Sequence, residues 1–313
     1  MSVPARAAQV LLPDRPVWEH AAAWLYVPAV RPERFAKAAA AADGVVIDLE
    51  DAVHPTERPA ARASLARHLG QGLAVPLVVR VNPPSGPDFD KDIAALAPLV
   101  RAGIVCAVRV AKVDSVEDAE EAAEATAAWG IDRRLICQLE SARAVADAGA
   151  IAAVSGVHSL MLGEADLRAD LGLPRGVAGE SGLTLARQTV VLASRALGLP
   201  APVGSAFTNV KDGVGLAASS AELAALGFYG RSCIHPGQVA AVRAAFSPRA
   251  AELAWAREVL ATAGSMDESV SAAATLGDGS FIDPAIVRQA AVIVSRAKAL
   301  EPHATFAMEG RAK

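Results

Sequence analysis

The chain has 313 residues, of which 53% are hydrophobic, and its 30 Lys+Arg against 34 Asp+Glu leave a formal charge of −4. This balance excludes a polybasic nucleic-acid binder and a disordered chain, and the length leaves two small domains or one large α/β barrel. No apolar stretch reaches the roughly 20 residues that cross a bilayer, and the N-terminal MSVPARAAQVLLPDRP lacks an apolar signal core, so a cytoplasmic protein without membrane contact is expected.

In chain order, apolar runs predict strands over 24–30 and 45–50, a helix over 56–69, strands over 77–82 and 105–110, and a helix over 116–129. A strand over 135–140, a helix over 141–153, a strand over 159–163 and a helix over 183–197 follow. The pattern closes with a strand over 202–207, a helix over 219–226 and a strand over 229–235. Continuous apolar strands alternating with helices imply a parallel sheet covered by helices, and eight such units match a (β/α)8 TIM barrel. A doubly wound open sheet is the competitor, but no G-x-G-x-x-G follows the first strand.

Beyond His235 the alternation stops. Helices are predicted over 237–246 and 249–264, and the Ser/Gly/Asp-rich MDESVSAAATLGDGS reads as a weakly ordered connection. A last helix runs from Pro284, where a missing N–H is harmless, to about Ala299. The expected organisation is a barrel over 1–247 and a helical C-terminal extension over 248–313, serving as lid or oligomerisation segment. Cys106, Cys137 and Cys233 sit in apolar runs without C-x-x-C spacing and read as buried inert thiols.

In such a barrel the site lies at the C-terminal ends of the strands. The polar residues there are Asp48, Glu50 and Asp51 after strand two, Arg80 and Asn82 after strand three, and Lys112 after strand four. Glu140, Glu164, Asp166 and His235 follow strands five, six and eight. Carboxylates without a His/Cys cluster suit a hard oxygen-preferring ion such as Mg²⁺, and Glu140 and Asp166 end adjacent strands. The structural alternative makes Glu140 a complement to a helix dipole and Asp166 a helix cap. Arg80 offers a planar fork for a carboxylate or enolate oxygen pair, or an ion pair with Glu50 that only orders the strand ends. His235, before a proline, serves acid/base chemistry or a turn. Neither a G-x-S-x-G elbow nor a phosphate-binding P-loop is present.

LYVPAVRPERFAKA, GVVIDLEDAVHPTERPAAR, VVRVNPP, VRVAKVDS, CQLESARAV, GEADLRADLG, LGFYGRSCIHPGQV, FSPRAAELAWAREVL and FIDPAIVRQA run in order along nearly the whole chain. In these segments the sequence resembles the citrate lyase beta-subunit-like branch of the HpcH/HpaI aldolase family. The resemblance implies a (β/α)8 barrel, trimeric or hexameric, that uses Mg²⁺ to make or break a carbon–carbon bond in short β-hydroxyacyl-CoA thioesters. It implies Glu140 and Asp166 as metal ligands and Arg80 as the residue holding the keto-acid and the developing enolate. Glu50 and Asp51 would hold waters on the metal and orient Arg80. Lys112, Gly163 and Glu164 would join Arg80 in binding substrate, and Asp283 would reach a neighbouring subunit's site from the C-terminal segment.

The chain departs from the family pattern at Ala22, where an Arg is usual, at Ala29 in place of Gly, in SAFTNVKD after strand seven, and at Glu164. These changes spare the metal site and bear on the substrate. A carbon–carbon lyase of a malyl-, citramalyl- or citryl-type thioester is therefore expected, with a malyl-CoA-type thioesterase and an aldolase of free hydroxy-keto acids as rivals. The alternative outside enzymes is an acyl-CoA or organic-acid binding subunit of a larger complex.

Overall fold

The computed structural model describes residues 17–130, 134–264, 274–277 and 279–300. They divide into two compact units, one of residues 21–246 and one in which residues 17–20 group with the chain from 247 onward.

The first unit opens with β1 (Ala23–Pro28), α1 (Phe35–Ala41), β2 (Gly44–Asp48), α2 (Arg58–His68), β3 (Leu77–Val81) and α3 (Phe89–Arg101). It continues through β4 (Ala107–Val110), α4 (Val116–Ala127), β5 (Leu135–Leu139), the short α5 (Ala142–Ala146) and α6 (Ala148–Ala153), and β6 (Val157–Leu162). Then come α7 (Glu164–Asp170), α8 (Glu180–Ala196), β7 (Val203–Gly204), α9 (Gly213–Ala225), β8 (Gly230–Cys233) and α10 (Val239–Phe246). The eight strands form one sheet in the order β6-β5-β4-β3-β2-β1-β8-β7, and its pairings are parallel. This is the expected (β/α)8 barrel.

Burial explains the pattern. Val45–Ile47, Val78, Val79 and Leu160–Leu162 have almost no exposed surface, because one face of each strand fills the barrel and the other meets helices. On α3, Phe89, Ile93, Leu96 and Val100 return at helical spacing and are buried, while Asp90 and Lys91 face solvent. Pro98 lies near the C-terminal end of α3. The predicted helix over 141–153 is two helices that meet at Asp147.

β7 is only two residues long, and it pairs with β8 but not with β6. The gap is bridged by one side chain, Ser205, whose hydroxyl donates to the Leu162 carbonyl and accepts the Glu164 N–H at 3.1 Å. Where β8 meets β1, Gly230 approaches Ala22 so closely that a Cβ would overlap the Ala22 backbone.

In the second unit α11 (Ala250–Gly264) packs on α12 (Pro284–Leu300), with the hairpin β9 (Ala274–Thr275) and β10 (Phe281–Ile282) between them in sequence. Its core holds Ala256, Val259, Leu260, Leu276, Ile282, Ala290 and Ala291. The connection expected to be weakly ordered therefore contains, at 274–277, a paired strand and a buried Leu276, because Leu276 and Ile282 each anchor one arm of the hairpin in apolar surroundings. The rest of that expectation, over 266–273 and at 278, lies outside the described residues. No described helix is long and apolar enough to cross a membrane.

Ser205→Ala leaves a buried N–H and a carbonyl without their shared partner, so it should destabilise the barrel by about 1–3 kcal/mol. Urea unfolding checks this. A lowered midpoint with an unchanged slope is expected, whereas an unchanged midpoint would show that packing alone closes the gap.

Candidate functional site

A cavity of about 820 Å³ opens among the C-terminal ends of the strands, lined by residues that include Tyr26, Asp48, Asp51, Arg80, Glu140 and Asp166. Its anchor is an ion pair across neighbouring strands. Asp48 and Arg80 are register partners on β2 and β3, so their side chains leave the sheet on the same face. Arg80 Nε donates to Asp48 Oδ1 at 2.7 Å and Nη2 to Oδ2 at 2.5 Å, a two-pronged pair. The remaining Nη1 lies 3.0 Å from Glu50 Oε2 and 3.5 Å from Asp51 Oδ2. Burial opposes the Arg80 charge, but the Tyr26 oxygen, Asp48 and Glu50 outweigh it and raise its pKa further.

Glu50, Asp51 and Lys112 form a second group. Lys112 Nζ donates to Glu50 Oε1, lies 3.2 Å from Asp51 Oδ1 and 3.9 Å from Glu140 Oε2. Lys112 has φ of 50°, in the left-handed region that a side chain disfavours. Such backbone strain costs about 1–3 kcal/mol and is tolerated where position matters. Burial, with Asp51 next to it, pushes the Glu50 carboxyl up against the opposing pull of Arg80 and Lys112. Burial also works against ionisation of Asp51, but Glu50, Arg80 and Lys112 together hold its carboxyl below the usual range. Glu50 therefore keeps its proton more readily than Asp51 does.

Glu140, immediately beyond β5, is buried, and Gln138 on the same strand donates to its Oε1. Its Oε2 is buried without a hydrogen bond. Burial pushes its pKa up to about 7, with the charges of Asp166 and Glu50 adding to the rise while Gln138 and Lys112 oppose it. Asp166 stands in the first turn of α7 and lines the same cavity. Gly163 supplies clearance, since a Cβ there would overlap the Glu140 carboxylate.

A buried carboxylate oxygen that accepts no hydrogen bond, in a cavity lined by a second carboxylate, has the donor chemistry a hard divalent cation needs. Among the described residues no group of three or more His, Cys, Asp or Glu forms a complete ligand set. Two carboxylates completed by other oxygens are the pattern of Mg²⁺.

Glu164 and His235 also line the cavity but are engaged in structural contacts, and Asp283 lies in the other unit. Glu164 borders the cavity, but both its carboxylate oxygens accept from Arg187 of α8, from Nε at 2.8 Å and Nη2 at 2.8 Å. That pair and the Ser205 hydroxyl hold the first turn of α7, the turn that carries Asp166. His235 accepts the Gly237 N–H on Nδ1 at 3.1 Å and stabilises the turn before α10. Asp283 belongs to the second unit, where its Oδ1 accepts the Ile286 N–H at 2.8 Å and caps α12. Cys106, Cys137 and Cys233 are free thiols, each pushed up to about 12 by burial and so inert at neutral pH.

Arg187, Gln138 and Tyr26 are not among the sequence candidates; the ion pair the sequence offers between Arg80 and Glu50 is present at 3.0 Å, and the two-pronged pair with Asp48 is added to it. The charged or amide residues Gln138 and Arg109, each inside an apolar strand, were the available signal.

The sequence pattern of the HpcH/HpaI aldolase/citrate lyase family matches residues 22–236, which is the barrel. The chain belongs to this family. A citrate lyase subunit beta-like protein of Mycobacterium tuberculosis is 35% identical over 283 residues, covering 88% of this chain and 94% of that protein. An L-malyl-CoA/beta-methylmalyl-CoA lyase of Rhodobacter capsulatus is 33% identical over 304 residues, covering 88% and 93%. Among solved structures, protein CitE from M. tuberculosis in complex with magnesium, acetoacetate and coenzyme A superposes with a TM-score of 0.71 at 34% identity, covering 88% of this chain and 98% of that one. A citrate lyase beta subunit from the same organism, complexed with oxaloacetate and magnesium, gives 0.63 at 36% identity, covering 74% and 99%.

The raised Glu140 pKa has a measurable consequence in metal-free protein. Its carboxyl holds a proton more tightly folded, near 7, than at its ordinary value of 4.5. Stability is therefore undiminished below pH 4.5 and falls as pH rises toward 7. Glu140→Gln removes this loss, so the variant should gain about 2–3 kcal/mol over wild type at pH 8 and nothing below pH 4.5. Parallel unfolding curves in a chelator across this range check it, and a pH-independent difference would refute the buried-carboxylate account.

Proposed function

We propose that the chain is a Mg²⁺-dependent carbon–carbon lyase that cleaves, or forms, a short β-hydroxyacyl-CoA of malyl, citramalyl or citryl type, yielding a keto-acid and an acyl-CoA. The observation that carries this reading is the buried oxygen of Glu140 that accepts no hydrogen bond, in a cavity that Asp166 and Arg80 also line. It is supported by the relatives above, two of which contain magnesium with an oxo-acid.

In this reading Glu140 and Asp166 hold the ion, which when bound supplies Lewis-acid stabilisation of negative oxygen. Arg80, fixed by Asp48 on one edge, turns Nη1 to the keto-acid oxygen and the charge that develops as the bond breaks. The hydroxyl proton leaves to a base, the C–C electron pair passes to the α-carbon of the thioester, and the resulting enolate takes up a proton. Glu50 and Asp51 keep Arg80 and Lys112 oriented. Gly163 and the Arg187–Glu164 pair keep the turn before Asp166 in place, so Glu164 serves the site by positioning α7.

A panel of CoA thioesters tests the reading. Release of a keto-acid with acyl-CoA is expected, whereas release of free CoA alone would make the chain a thioesterase, and no product with tight thioester binding would make it a binding subunit. Arg80→Lys keeps the charge but loses the fork, so kcat should fall by about 10²–10³-fold. Glu140→Gln and Asp166→Asn should weaken Mg²⁺ binding in calorimetry by about tenfold or more. Wild-type affinity in both variants would remove them from the metal site.

Asp283 is proposed to supply a proton in a neighbouring subunit's site within a homotrimer or homohexamer. Asp283→Ala should then lose turnover without losing Mg²⁺ affinity. Mixing it with Glu140→Gln chains under subunit exchange should restore activity through sites that carry both wild-type residues. Mixed oligomers without restored activity would return Asp283 to its role as the cap of α12.

A further inference from the structure

The mechanism above leaves the buried cation Arg109 unused. Arg109 lies in the middle of β4, in the same register row as Asp48 and Arg80, and only 1% of it is exposed. Its Nη1 donates to the Tyr26 hydroxyl at 2.6 Å, and its guanidinium stands 5.4 Å from the Tyr26 ring centre. Arg80 stands 5.1 Å from the same ring, so Tyr26 lies against both cations. Arg109 Nε is buried without a hydrogen bond, and among the described residues no carboxylate pairs with this side chain. Buried charges are ordinarily paired, because desolvation is costly. The two cations nearest to it in the polar cluster already have their anions: Arg80 has Asp48, and Lys112 has Glu50 and Asp51.

The chemistry of the pair gives it a direction. A guanidinium carries only donors, so the Tyr26 oxygen accepts from Arg109 and the phenolic proton must point to another acceptor. Among the described residues that hydroxyl makes no other hydrogen bond, and Tyr26 lines the cavity. Tyr26 is also set below the Arg80 level: Pro28, two residues later, is the register partner of Asp48. A donor polarised by a buried cation therefore stands in the same cavity as the proposed keto-acid fork, its ring against Arg80.

We propose that Tyr26, backed by Arg109, is a specificity-determining residue that donates to a second carboxylate on the keto-acid fragment. The proposal rests on the keto-acid reading of this site and names its substrate class, thioesters whose released keto-acid carries two carboxylates. The ligand carboxylate supplies the counter-charge that Arg109 lacks. Tyr26 touches it, and Arg109 acts through Tyr26.

The test uses the full chain with Mg²⁺ and two probes that differ by one carboxylate, oxaloacetate and pyruvate, in calorimetric titrations. Wild type should bind oxaloacetate about tenfold or more tightly than pyruvate, the scale of a hydrogen bond to a charged group. Tyr26→Phe and Arg109→Met should each abolish this preference by weakening oxaloacetate while leaving pyruvate little changed. Arg109→Met should melt at or above the wild-type temperature, since an apolar side chain of similar volume replaces an unpaired buried charge; a structural role would lower it. If that variant does not fold, Tyr26→Phe decides alone. Equal affinity for the two acids, no binding of either, or a preference that persists in Tyr26→Phe would overturn the proposal. Thioester cleavage is not read in this experiment, so failure of the lyase reading shows separately.

Discussion

A guanidinium inside a barrel needs a carboxylate in its own plane, and the pairing of β2 with β3 supplies one by placing Asp48 opposite Arg80. Everything polar at the site is arranged around that pair. With two of its nitrogens held by Asp48, Arg80 cannot swing, and its third nitrogen is left toward Glu50 and Asp51. Those carboxylates in turn hold Lys112, whose unusual backbone brings its ammonium among them. The Tyr26 ring covers the guanidinium from a third strand.

Across the mouth, Glu140 and Asp166 occupy the opposite electrostatic situation. Glu140 is buried with one oxygen lacking a donor, and the nearest cation, Lys112, is 3.9 Å away and committed to Glu50. Carboxylates gathered without enough protein cations resist ionisation, which is why burial and the neighbouring charges raise Glu140. A divalent cation would reverse that logic. The barrel tolerates the arrangement because neighbouring groups are rigidly fixed: Gly163 gives the carboxylate room, and the Arg187–Glu164 pair and Ser205 fasten the start of α7.

The short β7 makes this fastening matter. Six strands from β1 to β6 are joined by continuous backbone pairing, but between β6 and β7 a serine hydroxyl replaces the ladder. The turn bearing Asp166 begins at that gap, so the same hydrogen bonds that close the barrel also locate a proposed metal ligand. Stability and function are coupled here through two side chains.

Eight apolar runs separated by helical periodicity were enough to read the barrel, because strands buried on both faces leave an unbroken hydrophobic signature in one dimension. Polar residues ending those runs located the mouth, and Arg80, Glu50, Asp51, Lys112, Glu140 and Asp166 do gather there. What only the tertiary structure decided was who pairs with whom. The sequence offers Glu50 as the partner of Arg80, and strand register adds Asp48, which takes the two-pronged contact while Glu50 and Asp51 keep the third nitrogen. Glu164 reads as a substrate-binding residue beside Asp166, yet Arg187, from a helix whose facing is set by packing, takes both its oxygens. Arg109 interrupts an apolar strand, and its meaning depends on Tyr26, 83 positions away, reaching it across the barrel. Composition and periodicity record what each segment buries. The partner of a buried charge is a property of three-dimensional register, and no local pattern contains it.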